Sequence, residues 1–406
     1  MNERAFRLIV IVFELIALGT VCSILLFQNA FQIKEYSPVV QLTHGGKVRG
    51  MVVDADYTNE VHMYEGIPYG TAGRFQKPSA HPGWRGVWDA TYPRNACSFL
   101  GLNITSKQYT TNTYGDDCLY MTVWKPSLPS IKPRAVMVYI YGGGFRTGTV
   151  FKKSHDGRYL SGRGDVIVVG FNYRLGPFGF LYAENDAPGN VGLWDQVLAL
   201  QWVKSNIHMF GGDPDKVTIF GNSAGSQSIA ILMHSPLQNQ KLFHRAILQS
   251  GGSTYICNKS EALQLAQALA QDLSCPTTKS YDMLQCLRER PIEDIMDSTN
   301  KLNLKFKPLS GDDLFPMLYS KAVDYPNINR DVDVMYGLVH NEGSGFVLKN
   351  FPHLFPENIS LTFQEAMDYI PEVVKTFYID NPEIIRGAIK VYLDKYSNTS
   401  TANELR

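Results

Sequence analysis

The stretch "KVTIFGNSAGSQSIAILMHSP", residues 216–236, decides how this chain is expected to fold around a candidate nucleophile. Residues 217–220 are typical of a strand, and the apolar residues within 229–233 have helical spacing. Between them lies "GNSAG", residues 221–225, a G-x-S-x-G pattern. Its two glycines indicate a turn too tight for a Cβ, which would strain the backbone of Ser223 and project its hydroxyl above the sheet. Taken alone, the pattern could also be an ordinary Gly-Ser turn.

Strand-like and helix-like segments alternate along the rest of the chain. The clearest helical pattern covers residues 193–207, and the apolar strand-like runs are residues 135–141, 165–173, 216–220, 245–250 and 331–339. This alternation predicts an α/β fold with a mostly parallel sheet covered by helices on both faces. Neither an internal repeat nor a low-complexity linker interrupts residues 36–406, so we expect them to form one domain.

Composition and charge exclude several classes of partner. The chain has 406 residues, of which 44% are hydrophobic, and this is enough for a large core. Lys and Arg together number 38, equal to Asp and Glu, so no net charge attracts a polyanion, and we expect no nucleic-acid partner. Because the chain contains no CxxC motif and no His-rich cluster, we expect neither a metal ion nor another cofactor.

The N-terminal segment, residues 1–28, has the pattern of a targeting signal. Arg4 and Arg7 precede an apolar run over residues 8–27. This run is long for a signal peptide and just long enough to span a bilayer as a helix. Small residues at 21–23 offer a cleavage site, so a cleaved signal peptide and an uncleaved membrane anchor both remain open. Either predicts a secreted protein or one on the extracellular face of a membrane.

Glycosylation sequons and cysteine spacing agree with export. Four N-x-[ST] sequons, which are used only in the secretory route, occur at Asn103, Asn258, Asn358 and Asn398. Cys97 and Cys118 enclose a 20-residue polar loop, and Cys275 and Cys286 enclose ten residues. In an oxidising compartment we expect both pairs to form local disulfides, which leaves Cys257 unpaired.

A second glycine-rich segment, "GGGFRTG" at residues 142–148, follows the strand-like run 135–141. Loops at the carboxyl ends of parallel strands form ligand sites, and without side chains their backbone N–H groups can face a cavity. We therefore expect the amides of Gly143 and Gly144, with that of Ala224, to bind the oxyanion of a tetrahedral intermediate. By itself the segment could also be a simple glycine-rich turn.

Taken in order, these segments resemble the type-B carboxylesterase and cholinesterase family of α/β-hydrolases, from about residue 38 to about residue 400. The matching stretches are residues 64–78 ("YEGIPYG…GRFQKP"), 115–126, 141–148, 171–181 ("FNYRLGPFGFL"), 189–225 and 242–252. The resemblance implies a serine hydrolase that cleaves carboxylic esters through an acyl-enzyme. It also implies the two disulfides expected from the spacing, and structural ion pairs between Arg74 and Asp116 and between Arg174 and Asp195.

The same resemblance places the catalytic acid at Glu342, within "YGLVHNEGSGF", residues 336–346. In this fold the acid follows the nucleophile in the chain and precedes the histidine, whose ring it orients and whose charge it stabilises. Outside such a family context, Asn-Glu-Gly is typical of a turn with a solvated carboxylate.

The histidine of the triad is not found in the expected place. Members of the family carry it roughly a hundred residues after the acid, whereas the last of the nine histidines here is His353. His234 and His244 flank a family motif where they are expected to be structural, and His340 is expected on the strand face that carries Glu342. We therefore expect these 406 residues to lack the general base and the last core strands, and to be inactive as given. A self-sufficient non-catalytic homologue is the main rival.

Two departures from the family affect the expected substrate. Asn222 stands where a Glu often precedes the nucleophile. The loop between Cys97 and Cys118 contains no Trp for a cation-π contact, and Tyr109 is the nearest aromatic candidate for that role. A small neutral ester is therefore expected rather than a choline ester. The alternative from another class is a neuroligin-like adhesion or binding ectodomain. Such members tend to lose the nucleophile, whereas this chain keeps both Ser223 and Glu342.

Overall fold

The computed structural model describes most of the chain, which divides into two compact units, Met1–Gly337 and Leu338–Arg406. The described residues are 35–98, 107–252, 256–316, 331–340, 342, 362–365, 367–368, 371 and 382–393. The N-terminal apolar segment therefore lies outside the described residues. So do three of the four sequons, at Asn103, Asn358 and Asn398.

An eight-stranded sheet forms the centre of the first unit. In chain order its strands are β1 (Met51–Asp54), β2 (Glu60–Pro68), β3 (Tyr120–Pro126), β4 (Arg134–Ile140), β5 (Ile167–Phe171), β6 (Gly212–Asn222), β7 (Arg245–Gln249) and β8 (Asp333–Gly337). In space they are ordered β8-β7-β6-β4-β5-β3-β2-β1. All pairings from β8 to β5 are parallel, and the pairings of β5 with β3, β3 with β2 and β2 with β1 are antiparallel.

Helices and short strands complete the first unit. Its α-helices are α1 (Arg158–Gly164), α2 (Gly176–Phe180), α3 (Val191–Asn206), α4 (Ala224–Met233), α5 (Lys259–Asp272), α6 (Ser280–Glu289) and α7 (Ile292–Lys301). Its 3-10 helices are Lys153–His155, Glu184–Asp186, Ile207–Phe210 and Pro236–Gln240. Three short strands, Val40–Gln41, Lys47–Arg49 and Val87–Asp89, form a separate sheet. The short two-stranded pairs are Gly70–Thr71 with Ser79–Ala80, Ala96–Cys97 with Tyr114–Gly115, and Tyr182–Ala183 with Ala187–Pro188.

The α/β fold predicted from the alternating pattern is confirmed. Each of the five strand-like runs corresponds to one strand of the parallel half, β4 to β8, and the helical run at residues 193–207 corresponds to α3. The sheet is more mixed than predicted, because β1, β2 and β3 add an antiparallel half. These three strands were not predicted, because charged and polar residues, among them His62, Glu65 and Lys125, interrupt their apolar pattern.

Both faces of the sheet are covered, as predicted. Successive residues of a strand point to opposite faces, and Val168 and Val169 of β5 belong to two different buried clusters. The larger cluster includes Val138 on β4 and residues of α3 and α4. The smaller cluster includes Trp124 on β3, against which the start of α1 packs, since a Cβ on Gly157 would lie 2.7 Å from that ring. The sheet is thus held between two apolar layers.

Covalent and ionic links fix the loops around this core. The structure contains both expected disulfides, Cys97–Cys118 with a Cα–Cα distance of 4.8 Å and Cys275–Cys286 with 5.7 Å, and Cys257 is a buried free thiol. The carboxylate of Asp195 lies 2.6 Å from the guanidinium of Arg174, and both side chains are buried. Removing one partner would leave an uncompensated buried charge, which typically costs about 3–5 kcal/mol. This pair is structural, as expected. Arg74 and Asp116 also form an ion pair, at 2.8 Å.

The second unit contains α8 (Pro382–Leu393). Within the part of the chain that the structure describes, no helix combines the length and the apolarity that crossing a bilayer requires.

Candidate active site

The nucleophile elbow lies where β6 passes into α4. Strand β6 ends at Asn222 and helix α4 begins at Ala224, so Ser223 alone forms the turn. Its backbone angles are φ 53° and ψ −121°, a conformation that L-residues rarely adopt and that costs about 1–3 kcal/mol. The Ser223 N–H donates to the carbonyl of Gln249 on β7 at 2.9 Å, and the Gln227 N–H donates to the Ser223 carbonyl at 2.9 Å. The strained turn predicted from the sequence is present and is held at both ends.

The two glycines of the elbow are required by close packing against β4. A Cβ placed on Gly221 would lie 2.5 Å from the carbonyl oxygen of Ile140, and one on Gly225 would lie 2.0 Å from the same atom. Real Cβ atoms essentially never approach backbone oxygens so closely, and a backbone atom cannot move aside as a side chain can. The predicted reason for the G-x-S-x-G pattern is therefore confirmed.

The glycine-rich turn at residues 142–148 lies beside the elbow. Ile140 at the end of β4 pairs with Gly221 near the end of β6, so the two turns follow neighbouring parallel strands at the same sheet edge. A Cβ on Gly142 would lie 2.4 Å from the Asn222 carbonyl oxygen and 3.1 Å from the Ser223 Cβ. The structure thus brings the two sequence motifs together, as the rule for ligand sites in such sheets requires.

Three backbone amides at this edge have no acceptor among the described residues. The N–H groups of Gly143 and Gly144 make no hydrogen bond there, although the Gly143 carbonyl accepts bonds from Arg146 and Thr147 at 3.1 Å each. The Ala224 amide opens the first turn of α4, where a helix leaves its N–H groups unsatisfied and carries partial positive charge. Such donors can stabilise a developing anion. Their assignment to an oxyanion hole stays a prediction.

Two histidines of the first unit, His155 and His234, bond to backbone carbonyls. Among residues 35–337 as described, no histidine ring forms a hydrogen bond with Ser223 Oγ. The Nδ1 atom of His155 bonds to the Thr149 carbonyl at 2.8 Å, and its ring stacks on Tyr141. Burial lowers the pKa of His155, because a charged ring would lose its hydration there. The Nδ1 atom of His234 bonds to the Ala230 carbonyl at 2.6 Å. These two rings have structural partners, as was expected for His234.

The predicted acid, Glu342, lies in the second unit. Its carboxylate accepts a hydrogen bond from the Val339 N–H at 3.2 Å, which makes a local turn. Strand β8 ends at Gly337, so His340 and Glu342 follow the strand and do not lie on one of its faces, contrary to the expectation for His340. The role of Glu342 in orienting a histidine stays a prediction.

Sequence reasoning missed one residue at this edge, Tyr139. The hydroxyl of Tyr139 on β4 donates to the side-chain oxygen of Asn222 at 2.9 Å. Residues Val136, Val138 and Ile140 of the same strand are buried in the core, so Tyr139 has the opposite orientation. The alternation of buried residues along β4 predicts this orientation of Tyr139. Its hydrogen-bond partner, Asn222, depends on the pairing of β4 with β6.

The described sequon, Asn258, caps helix α5. Its side-chain oxygen accepts a hydrogen bond from the Glu261 N–H at 2.9 Å, and the Glu261 carboxylate accepts one from the Asn258 N–H at 3.3 Å. The residue is exposed. A glycan would be attached to the side-chain nitrogen, so this capping bond leaves the modification chemically possible.

The fold is that of an α/β-hydrolase. In the parallel half of its sheet, a strained serine lies between a strand and a helix, and a glycine-rich turn follows the neighbouring strand. A family model described as "Carboxylesterase family" matches residues 36–406, and the chain belongs to this family.

Its relatives include cholinesterases. The chain is 36% identical over 375 residues to acetylcholinesterase of Electrophorus electricus, covering 87% of this chain and 59% of the relative. It is 34% identical over 395 residues to cholinesterase of Mus musculus, covering 87% and 65%. It is 37% identical over 388 residues to acetylcholinesterase 4 of Caenorhabditis briggsae, covering 88% and 62%. The chain therefore spans less than two thirds of the length of these relatives.

Proposed function

We propose that this chain supplies the nucleophile and the oxyanion donors of a carboxylic ester hydrolase that works through an acyl-enzyme. The observation that carries the proposal is the strained Ser223, which lies beside three amides that have no acceptor among the described residues. In the proposed reaction, Ser223 Oγ attacks the ester carbonyl carbon while a histidine takes its proton. The amides of Gly143, Gly144 and Ala224 bind the resulting oxyanion.

Collapse of the tetrahedral intermediate breaks the ester C–O bond. The leaving alkoxide takes the proton from the imidazolium and departs as the alcohol, and the acyl group remains as an ester on Ser223. Water then repeats the sequence and releases the acid. Glu342 holds the imidazole in the required tautomer and stabilises its positive charge. Neither step needs a metal ion or another cofactor.

The base is the part of this machinery that the 406 residues are proposed to lack. Histidines such as His155 and His234 already bond to backbone carbonyls. A serine hydroxyl near its solution pKa is a poor nucleophile when no base removes its proton. The 406-residue chain is therefore proposed to be inactive alone.

The proposed substrate is a small neutral ester. Asn222 carries no charge beside Ser223, and the loop between Cys97 and Cys118 holds no Trp on which a quaternary ammonium could stack. Tyr109 is half-buried in that loop. The relatives are named for choline esters, and a site without these two features favours an uncharged alcohol instead.

The proposed location is the secretory pathway, with the protein either released or anchored through residues 1–28. Both disulfides support an oxidising compartment. Glycans at Asn103, Asn258, Asn358 and Asn398 belong to the same proposal. Treatment of the secreted protein with a glycan-removing amidase should lower its mass, and an unshifted cytosolic product would contradict the assignment.

A non-catalytic, neuroligin-like binding ectodomain is the second candidate. It is favoured by one observation, that no described histidine of the first unit bonds to Ser223 Oγ. It gives no reason for a strained serine at the elbow, whose cost a binding protein has no need to bear.

Extending the chain with a carboxylesterase-family segment that carries the histidine separates the two candidates. We expect the extended protein to hydrolyse a neutral aryl ester, with turnover lost in Ser223→Ala. Glu342→Gln should lower kcat at least about a hundredfold, because the histidine then loses its orienting partner. A folded extended protein with no turnover above Ser223→Ala would favour the binding ectodomain.

A further inference from the structure

The side-chain oxygen of Asn222 accepts two hydrogen bonds from β4 and the turn that follows it. The hydroxyl of Tyr139 donates at 2.9 Å and the N–H of Gly142 donates at 3.3 Å. An amide oxygen has two lone pairs, so both are used. The orientation of the amide is fixed by chemistry, because a flipped side chain would place its NH₂ group against the Gly142 N–H, which can only donate.

This oxygen joins the two halves of the proposed site. Asn222 directly precedes Ser223, and Gly142 directly precedes the two glycines whose amides are proposed to bind the oxyanion. The backbones also touch, since a Cβ on Gly142 would lie 2.4 Å from the Asn222 carbonyl oxygen. A displacement of either turn would therefore break the bond between Gly142 and Asn222.

The donor on β4, Tyr139, packs against two aromatic rings. The ring of Tyr139 lies 5.0 Å from that of Phe220 and 5.2 Å from that of His155, centroid to centroid. Burial raises the pKa of Tyr139 to about 12, so its hydroxyl keeps the proton it donates throughout the physiological range. Its single hydrogen is directed at Asn222.

We infer that Asn222 is a positioning residue which, oriented by Tyr139, holds the glycine-rich turn in register with the nucleophile elbow. The catalytic part of this inference rests on the proposed function. It also refines the substrate class, because an amide oxygen that already accepts two hydrogen bonds offers a cation neither charge nor a spare lone pair. A neutral ester loses nothing at such a position.

Hydrogen–deuterium exchange of the peptide that contains residues 142–144, in the full 406-residue chain, tests this coupling without turnover. Asn222→Leu removes both bonds in a side chain of similar size, and we expect exchange of the turn to quicken up to about tenfold. Tyr139→Phe keeps the ring contacts and loses one donor, so a smaller increase is expected. Asn222→Asp keeps an acceptor for both donors and should restore protection close to that of the wild type.

Tyr64→Phe is the matched control. Tyr64 lies on β2 of the same sheet, and the substitution removes a hydroxyl that donates to the Pro38 carbonyl at 2.7 Å, away from the two turns. In Tyr64→Phe we expect hydrogen–deuterium exchange of the peptide that contains residues 142–144 to stay as in the wild type. Equal exchange in Asn222→Leu and the wild type would overturn the inference. An increase in exchange in Tyr64→Phe as large as that in Asn222→Leu would also overturn it. Should Asn222→Leu fail to fold, the comparison of Tyr139→Phe with Tyr64→Phe decides the question.

Kinetics of the extended protein separate the two proposals. Asn222→Leu should lower kcat while KM stays within about twofold, and Asn222→Asp should recover kcat for a neutral ester. If Asn222→Leu raises hydrogen exchange of the turn but leaves hydrolysis by the extended protein unchanged, the positioning role is overturned and the esterase proposal stays intact. If Asn222→Leu raises hydrogen exchange of the turn but the extended wild-type protein hydrolyses no ester, only the esterase proposal is overturned.

Discussion

The elbow at residues 221–225 and the turn at residues 142–148 both contain a glycine that the backbone requires, but the physical reason differs between Gly225 in the elbow and Gly144 in the turn. At the elbow, a Cβ on Gly225 would lie 2.0 Å from the Ile140 carbonyl oxygen, so glycine is required by packing. At Gly144, a Cβ would meet no atom within 4 Å, and glycine is favoured by φ of +64°. The elbow is closed by protein atoms at Gly225, whereas the turn is open at Gly144, where the proposed oxyanion would lie.

This contrast gives glycine substitutions different expected effects on stability and on function. Substitutions at the elbow should act on the fold, since backbone meets backbone there. A substitution at Gly144, where a Cβ has room, should act mainly on the amides that are proposed to bind the oxyanion.

Gly225→Ala should have the largest effect. The new methyl group would overlap a backbone oxygen that cannot move without disturbing the pairing of β4 with β6. We expect a loss of about 3 kcal/mol or more in the free energy of unfolding. Chemical denaturation of the purified variant measures it. An unchanged midpoint would mean that the elbow is not packed as described.

Gly142→Ala should have the second largest effect. Its Cβ would lie 2.4 Å from the Asn222 carbonyl oxygen, but this contact is at the sheet edge, where the turn can shift. We expect a loss of about 1–3 kcal/mol, together with faster hydrogen exchange of residues 142–144. Destabilisation greater than that of Gly225→Ala would reverse the proposed order of the two regions.

Gly144→Ala should be mild for the fold and severe for the site. The methyl group meets open space, so only the left-handed backbone is penalised, by about 1–2 kcal/mol. Moving the amide in the extended protein should lower kcat about a hundredfold, as expected for the loss of one oxyanion donor. Unaltered kcat in a stably folded variant would remove Gly144 from the proposed oxyanion hole.

Ser223→Gly should give the smallest change in stability, and in the opposite direction. Glycine adopts φ 53° without the penalty that serine bears, so the free energy of unfolding should rise by up to about 1 kcal/mol. Ser223→Ala, which keeps the Cβ, is the control and should change stability little. A clear destabilisation by Ser223→Gly would show that the serine backbone is not strained.

The sequence predicted the parallel half of the sheet well because apolar runs bounded by glycine and polar residues are strong local signals. It also predicted the elbow and its physical cause, since two glycines around a serine, between a strand and a helix, are typical of a turn with no room for a Cβ. The antiparallel strands β1 to β3 were not predicted, because they mix buried charged residues such as Glu65 with apolar ones.

The contact of Tyr139 with Asn222 could not be predicted from the sequence. The two residues are 83 positions apart, and their meeting depends on a register in which Tyr139 pairs with Phe220. A shift of one residue would turn Tyr139 to the opposite face of the sheet. No local pattern specifies that register, which is set by packing of the whole core.

Mass spectrometry of fluorophosphonate labelling tests the central claim most directly, that Ser223 is a prepared nucleophile whose base is not among the histidines of the first unit. The 406-residue chain and the extended protein are each compared with their Ser223→Ala variants. The predicted result is an adduct on Ser223 in the extended protein, and no adduct above the Ser223→Ala level in the 406-residue chain. An adduct on Ser223 of the 406-residue chain, or none in a folded extended protein, would contradict the claim.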